Sequence, residues 1–156
     1  MGNINADFTG AVVLVTGGAQ GIGRAVAQAF AQAGAQLVVA DVDEAAVQEA
    51  VYDQAIHGRA RYFRCDVGTP QEVAALMDNI AAHEGRLDVL VSNAGIMISQ
   101  PPDELPLEAW DRVLNVNLRG PFLCVKYGLR LLMKGTSPSV INIASTRALM
   151  SEPHTE

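Results

Sequence analysis

A glycine-rich turn is the first feature of the sequence whose residue types and spacing could serve chemistry. Gly17, Gly21 and Gly23 lie in residues 16–23 (TGGAQGIG), between an apolar, β-branched run and an alanine-rich segment of helical composition. In this position Gly17 permits a sharp turn, Gly21 lets a ligand approach the backbone, and Gly23 lets the helix pack close to the strand. The N-terminal end of the helix attracts phosphate. The motif predicts a pyrophosphate-binding turn, and the alternative is a loop in which the glycines only permit the chain to bend.

An acidic residue follows the next apolar run. Asp41 lies about 20 residues beyond the glycine turn, where a carboxylate can accept hydrogen bonds from the ribose hydroxyls of a dinucleotide. The same carboxylate would repel the additional phosphate of NADP, and neither Gln20 nor Val42 supplies a cation to receive it. The sequence therefore predicts NAD as the cofactor, although Arg24 and Arg64 keep NADP open as the weaker alternative. The other interpretation of Asp41 is an ordinary turn residue at a strand end.

Five short apolar runs and the helical segments between them must position these side chains. The predicted strands cover residues 11–16, 36–40, 61–65, 87–92 and 139–144. The predicted helices cover residues 24–33, 42–56, 70–83 and 107–132. Gly34 should close the first helix, and Pro121 should kink or interrupt the last one. Apolar strands joined by helices indicate an α/β fold with a doubly wound parallel sheet, in which ligands bind beyond the carboxyl ends of the strands.

The overall composition narrows the class of protein. The 156 residues, 49% of them hydrophobic and 18% charged, fit a single globular domain over residues 1–156. Eleven basic and 17 acidic residues give a net charge of -6, which argues against a nucleic-acid partner and favours a small molecule. The two cysteines and three histidines show no metal-ligand spacing. Neither a signal peptide nor a run long enough to span a membrane is recognisable, so we expect a cytoplasmic protein.

Four further motifs follow the glycine turn and Asp41 in the sequence. They are Asp66-Val67, Asn93-Ala94-Gly95, residues 115–120 (NVNLRG) and residues 142–145 (NIAS). Each alone could be a helix cap, a turn or a loop, but in this order they resemble the short-chain dehydrogenase/reductase family over residues 9–156. The resemblance implies a Rossmann-type fold and hydride transfer between NAD and a small-molecule alcohol or carbonyl.

The resemblance also assigns residues to the site. It implies that Asp66 and Val67 hold the adenine ring and that residues 93–95 shape the floor of the cofactor site. As catalytic residues it implies Ser145, which polarises the substrate oxygen, and Asn117, which holds a water relay. The full set of predicted cofactor-binding residues is Gly17, Gln20, Gly21, Ile22, Gly23, Asp41, Val42, Asp66, Val67, Asn93, Ala94, Gly95 and Val116.

The proton-transfer pair of the family is absent from the sequence. The resemblance implies a tyrosine whose pKa is lowered by a lysine four residues later, but none of Tyr52, Tyr62 and Tyr127 is followed by lysine at that spacing. The tyrosine would fall just beyond residue 156, so we expect the chain to end within the active-site loop and the sheet to be incomplete at its C-terminal edge. The 156-residue polypeptide alone is then expected to expose apolar surface, to be marginally stable and to show no turnover.

Three functional interpretations remain at this point. The first is an NAD-dependent oxidoreductase, with the substrate bordering residues 97–105 and with the long helix building a homo-oligomer, a dimer or tetramer, when the protein is complete. The second is a non-catalytic dinucleotide-binding sensor, and the third is an inactive fragment. Ser145 and Asn117 favour the enzyme, because a sensor has no need of that pair.

Overall fold

The computed structural model describes residues 6–51 and 58–145. In this part of the chain the strands are β1 (Val12–Thr16), β2 (Gln36–Asp41), β3 (Ala60–Arg64), β4 (Val89–Ser92) and β5 (Ser139–Asn142). The α-helices are α1 (Gly21–Gln32), α2 (Glu44–Val51), α3 (Pro70–His83), α4 (Leu107–Leu114) and α5 (Gly120–Leu132). A π-helical turn, Asn115–Arg119, joins α4 to α5.

The five strands form one parallel sheet in the order β3-β2-β1-β4-β5. The register pairs Thr16 with Ala40 on one side and with Ser92 on the other, so the carboxyl ends of the central strands meet at one edge. The chain runs outwards from β1 to β3 and then returns to place β4 on the other side of β1. This reversal opens a crevice beyond β1 and β4, which is where doubly wound sheets bind ligands. The predicted Rossmann-type fold is confirmed.

Alternate residues of the central strands face two different cores. Val12 and Leu14 belong to the cluster that packs against α3 and α5, whereas Val13 and Val15 belong to the cluster that packs against α1. All four side chains are at most 3% exposed. Burial on both faces explains why the strand reads as an uninterrupted apolar run instead of alternating with polar residues.

The strands lie where the sequence predicts them, with ends that differ by at most two residues. Helix α1 begins at Gly21, three residues before the predicted start, so the glycine motif itself forms the helix N-terminus. Gly34 follows the last turn of α1 with a φ of 93°, as predicted for a residue that ends a helix. Helix α2 begins at Glu44 rather than at residue 42, because Asp43 caps it; the predicted residues 52–56 of that helix lie outside the described residues.

The long apolar helix changes its hydrogen-bonding pattern just before Pro121. Gly120 donates its backbone N–H to the carbonyl of Asn115, five residues earlier, and helix α5 then continues through the proline. The predicted interruption therefore takes the form of a π turn at residues 115–119, and not of a break at Pro121 itself. Such turns are frequent at functional sites. A methyl group on Gly120 would stand 2.8 Å from Val67 Cγ2, so the absence of a side chain lets the helix approach the segment after β3 closely.

A buried carboxylate fixes the amino end of the sheet. Asp88 accepts hydrogen bonds from the backbone N–H of Val12 at 2.8 Å, from that of Thr136 at 2.9 Å, and from Arg86 Nε at 3.0 Å. Burial raises the pKa of the Asp88 carboxyl, but these donors lower it by more, so the pKa lies below its ordinary value. Asp88 thus ties together β1, β4 and the turn that precedes β5.

Apolar side chains are exposed on the last strand and on the long helix. Val140 and Ile141 of the edge strand β5 are 43% and 41% exposed, in contrast to the covered strands at the centre of the sheet. Further exposed apolar residues along the helix are Leu107, Trp110, Leu118, Phe122, Leu129 and Met133.

None of the described helices combines the length and hydropathy needed to cross a membrane, and no described group of three or more His, Cys, Asp or Glu residues could hold a metal ion.

Candidate functional site

The N-terminal end of α1 is formed by glycines and has no capping side chain. Gly17 and Gly21 adopt φ values of 61° and 54°, which other residues rarely adopt, and a side chain at Gly21 would project into open space. The N-cap residue Gln20 makes no side-chain capping bond, and the first turn of α1 contains no acidic residue. Helices α2, α3 and α4 all carry a glutamate in that turn. The positive end of α1 is therefore not neutralised by an acidic side chain of its own first turn.

Close packing at Gly23 holds this end in place. A methyl group there would stand 2.1 Å from the carbonyl oxygen of Gly17 and 2.5 Å from Nδ2 of Asn93. The sequence predicts that Gly23 lets the helix approach the strand; the structure shows that the approach is to the turn carbonyl and to an amide from the neighbouring strand end. The glycine turn, the start of α1 and the segment after β4 are thus packed too closely at Gly23 to admit a side chain.

Asn93 and Thr16 join the glycine turn to the segment after β4. Asn93 Nδ2 donates to the carbonyl oxygens of Thr16 at 3.1 Å and of Gly17 at 2.9 Å. In return, Thr16 Oγ1 accepts the backbone N–H groups of Asn93 at 3.1 Å and of Ala94 at 3.2 Å. These four bonds fix both sides of the crevice relative to each other.

The crevice forms a cavity of about 300 Å³. Twelve of the thirteen predicted cofactor-binding residues line it, and the exception is Gly21. The lining residues that were predicted are Gly17, Gln20, Ile22, Gly23, Asp41, Val42, Asp66, Val67, Asn93, Ala94, Gly95 and Val116. The lining residues that were not predicted are Cys65, Ile96 and Arg112. Tertiary structure therefore gathers residues spread over a hundred positions of sequence into one space.

Asp41 lies at the end of β2 and is 5% exposed. Its Oδ2 accepts the backbone N–H of Ala19 at 3.1 Å, and its Oδ1 accepts that of Asp43 at 3.2 Å. These bonds orient the carboxylate, and each oxygen retains a lone pair for a further donor such as a ribose hydroxyl. The two arginines that could favour NADP are both engaged by glutamates: Arg24 by Glu49 at 3.5 Å and Arg64 by Glu72 at 2.9 Å.

A second carboxylate, that of Asp66, lies beyond β3. Its Oδ1 accepts the backbone N–H of Gly68 at 2.9 Å, and its Oδ2 lies 2.7 Å from Nη1 of Arg112. The backbone N–H of Asp66 donates in turn to Glu72 at 2.8 Å. The turn after β3 is thus held by the first turn of α3 on one side and by α4 on the other.

The two predicted catalytic residues occupy different surroundings. The Asn117 side chain lies in the π turn and forms two hydrogen bonds with the backbone of Ile96: its Oδ1 accepts the N–H at 2.9 Å, and its Nδ2 donates to the carbonyl at 2.8 Å. Ser145 follows β5 as an exposed residue and does not line the cavity. Because Ser92 and Asn142 pair in register, both segments leave the sheet at the same edge.

Each lining residue that was not predicted has a signal in the sequence. Cys65 and Ile96 directly adjoin predicted motifs, and Arg112 lies four residues before Val116, so that both share one helix face.

Burial raises the pKa of the Cys65 thiol to about 12, with a smaller contribution from Cys124. Burial likewise raises the pKa of Cys124 to about 12, so neither thiol is a nucleophile near neutral pH.

Comparisons with known proteins agree with this architecture. The family model described as "short chain dehydrogenase" matches residues 11–156. An "uncharacterized oxidoreductase" of Thermotoga maritima is 41% identical over 150 residues, which are 94% of this chain and 58% of that protein. D-threitol dehydrogenase of Mycolicibacterium smegmatis is 40% identical over 153 residues, which are 96% of this chain and 58% of that protein.

Structural similarity extends over nearly the whole chain. The crystal structure of gox2181 matches with a TM-score of 0.88 and 31% identity, over 96% of this chain and 59% of that one. The chain therefore spans somewhat less than two thirds of the length of these relatives. The match to the family model and the shared fold together show that the chain belongs to the short-chain dehydrogenase family.

Proposed function

We propose that this chain is the cofactor-binding part of an NAD-dependent oxidoreductase that interconverts an alcohol and a carbonyl compound. The observation that carries the proposal is the cavity at the uncapped, acid-free N-terminus of α1, which extends from the glycine turn to Asp41 and Asp66. A dinucleotide offers a pyrophosphate for the helix end, ribose hydroxyls for a carboxylate and a base for the far wall. The donors and acceptors that line the cavity fit this sequence of groups.

The chain's own residues have distinct tasks in this proposal. NAD supplies the transfer of hydride when it is bound. The backbone N–H groups at the start of α1 bind the pyrophosphate, and Asp41 accepts the ribose hydroxyls and disfavours an additional phosphate. Ser145 donates its hydroxyl to the substrate oxygen, where negative charge develops on reduction of a carbonyl. Asn117 holds Ile96 and with it the segment that forms the cavity floor.

The proton of the reaction requires a further group. No tyrosine of this sequence is followed by a lysine four positions later. The chain spans 58% of the length of each curated relative described above. We propose that residues C-terminal to Glu156 supply the proton-transfer pair in the complete protein, and that the 156 residues alone bind NAD without turnover.

Titration of the full-length protein with NADH and NADPH tests the choice of cofactor. We expect NADH to bind more tightly than NADPH. Asp41→Ala should reduce this preference for NADH, because the change removes both the acceptor for the ribose hydroxyls and the repulsion of the 2′-phosphate. Tighter binding of NADPH by the unaltered protein would contradict the proposal. Asp111→Ala removes one carboxylate from the exposed face of α4 and serves as the matched control for net charge.

Turnover with a panel of alcohols separates the enzyme from the second candidate. If the full-length protein reduces NAD and Ser145→Ala abolishes the activity, the oxidoreductase is supported. Binding of NADH without turnover on any alcohol or carbonyl would favour a dinucleotide-binding sensor instead.

The exposed apolar residues of α4 and α5 lead us to propose a homo-oligomer, which sedimentation analysis of the full-length protein tests.

A further inference from the structure

Arg112 reaches the cofactor cavity from the last turn of α4. Its Nη1 lies 2.7 Å from Asp66 Oδ2, while Oδ1 of the same carboxylate accepts the backbone N–H of Gly68 at 2.9 Å. The Asp66 side chain is 16% exposed and that of Arg112 is 40% exposed. Both carboxylate oxygens are therefore oriented by donors from different parts of the chain, which leaves the group little freedom to rotate.

The oriented carboxylate faces the end of the cavity at which a base would lie. With the pyrophosphate at the start of α1 and the ribose at Asp41, as proposed above, the cavity continues to Asp66 and Val67 at the end of β3. A carboxylate can only accept hydrogen bonds, and each oxygen of Asp66 retains one lone pair beside the bond that it already makes. It can thus accept a hydrogen bond from an exocyclic amino group, and it opposes a carbonyl oxygen at the same place.

Charge gives Arg112 a second effect. Asp41 and Asp66 both line the cavity, and a dinucleotide brings further negative charge. Among the lining residues in the described part of the chain, Arg112 is the one basic side chain. Without it Asp66 would be an unpaired carboxylate in a partly enclosed space, and such a group is both less ordered and more repulsive to the ligand.

We propose that Arg112 is a positioning residue that holds the Asp66 carboxylate for recognition of a base bearing an exocyclic amino group. Arg112 thereby contributes to the selection of an adenine dinucleotide over one with a 6-oxo base. This inference rests on the proposed binding of NAD. It adds a residue of α4, on the same helix face as Val116, to the elements that decide which dinucleotide is bound.

Binding of two dinucleotides to the full-length protein tests the inference. The probes are NAD, whose base bears an amino group, and nicotinamide hypoxanthine dinucleotide, whose base bears a carbonyl oxygen in its place. Titration calorimetry gives the measured ratio, which is the dissociation constant of the hypoxanthine dinucleotide divided by that of NAD. We expect Arg112→Met to reduce this ratio about fivefold, because the released Asp66 side chain must then be ordered when it binds the amino group. Arg130→Met, which removes the same charge from an exposed position of α5, should leave the ratio unchanged.

A double-mutant cycle shows whether Arg112 acts through Asp66. In an Asp66→Asn background, Arg112→Met should change the ratio little further. Arg112→Lys keeps a cation without the planar fork and should give an intermediate ratio, which provides the measurement if Arg112→Met does not fold.

Two results would overturn the inference. One is a ratio of dissociation constants equal to that of the wild type in both Arg112→Met and Arg112→Lys. The other is that the effects of Arg112→Met and Asp66→Asn on this ratio are fully additive. In either case wild-type protein that binds NAD leaves the proposed function intact, whereas failure of the wild type to bind NAD refutes the proposed function itself.

Discussion

The contact at Gly23 leads to a quantitative prediction for Gly23→Ala. The added methyl would stand 2.1 Å from the Gly17 carbonyl oxygen and 2.5 Å from Asn93 Nδ2, whereas such contacts are rarely shorter than 3.0 Å. The turn and the start of α1 must therefore separate by about 1 Å, and this movement carries Asn93 away from the two carbonyl oxygens that it bonds. Overpacking costs about 1–3 kcal/mol and each lost hydrogen bond about 1 kcal/mol.

We expect Gly23→Ala to lower the free energy of unfolding by about 3–5 kcal/mol and to weaken NAD binding about tenfold, because the displaced N–H groups are those proposed to hold the pyrophosphate. Urea unfolding and calorimetric titration of the full-length protein measure the two effects. The matched control is Gly128→Ala in α5, where the methyl would meet only the flexible end of Met77 at 3.2 Å. Wild-type stability and affinity in Gly23→Ala would refute the reasoning.

Three further predictions concern other groups. Asp88→Asn should lower the free energy of unfolding at pH 7 by about 2 kcal/mol through weaker hydrogen bonds. Because folding lowers the Asp88 pKa, the stabilisation by the ionised carboxylate is present above pH about 4 and disappears as the pH falls through the folded-state pKa. Urea unfolding should therefore show the stabilities of the wild type and the variant converging at low pH, and a difference that stays constant with pH would contradict this expectation. Asn117→Ala should speed hydrogen exchange of the Ile96 amide about tenfold in the folded protein, and unchanged exchange, measured by mass spectrometry, would show that the side-chain bonds do not hold this segment. Cys65 and Cys124 should resist iodoacetamide at pH 8 in the native protein and react in urea, since a pKa of about 12 leaves on the order of one thiolate in ten thousand; rapid labelling of native protein is the contrary result.

Local sequence patterns were sufficient for the fold and for most of the cavity wall. The apolar runs predict all five strands, and for the central ones the reason is that strands covered on both faces need continuous apolar residues. Parallel order then places their carboxyl ends at one edge, so residues at or just beyond the strand ends, such as Asp41, Asp66 and Asn93, are predicted to lie together, and they line one cavity. The glycine turn is recognisable in the sequence because its glycines lie within eight consecutive residues.

The length and form of the helices depended more on tertiary contacts. Helix α2 starts later than predicted because the Asp43 side chain caps it, and α1 starts earlier because the bond from the Arg24 N–H to the Gln20 carbonyl already closes a helical turn over the glycine motif. Hydrophobic periodicity alone cannot distinguish a π turn from an α-helix. The insertion at residues 115–119 thus became visible only through the bond from Gly120 to Asn115.

The sequence by itself determined the parallel architecture and located the glycine turn and the acidic residue that we propose for the pyrophosphate and the ribose, because each of these depends on neighbours along the chain or on the strand period. Only the tertiary structure decided how the far end of the cavity is built. Asp66 and Arg112 are separated by the whole of α3 and β4, and Asn117 is bound to Ile96 across a loop and helix α4. Such pairings depend on the distance and angle at which packed helices meet the sheet, and residue spacing contains no measure of either.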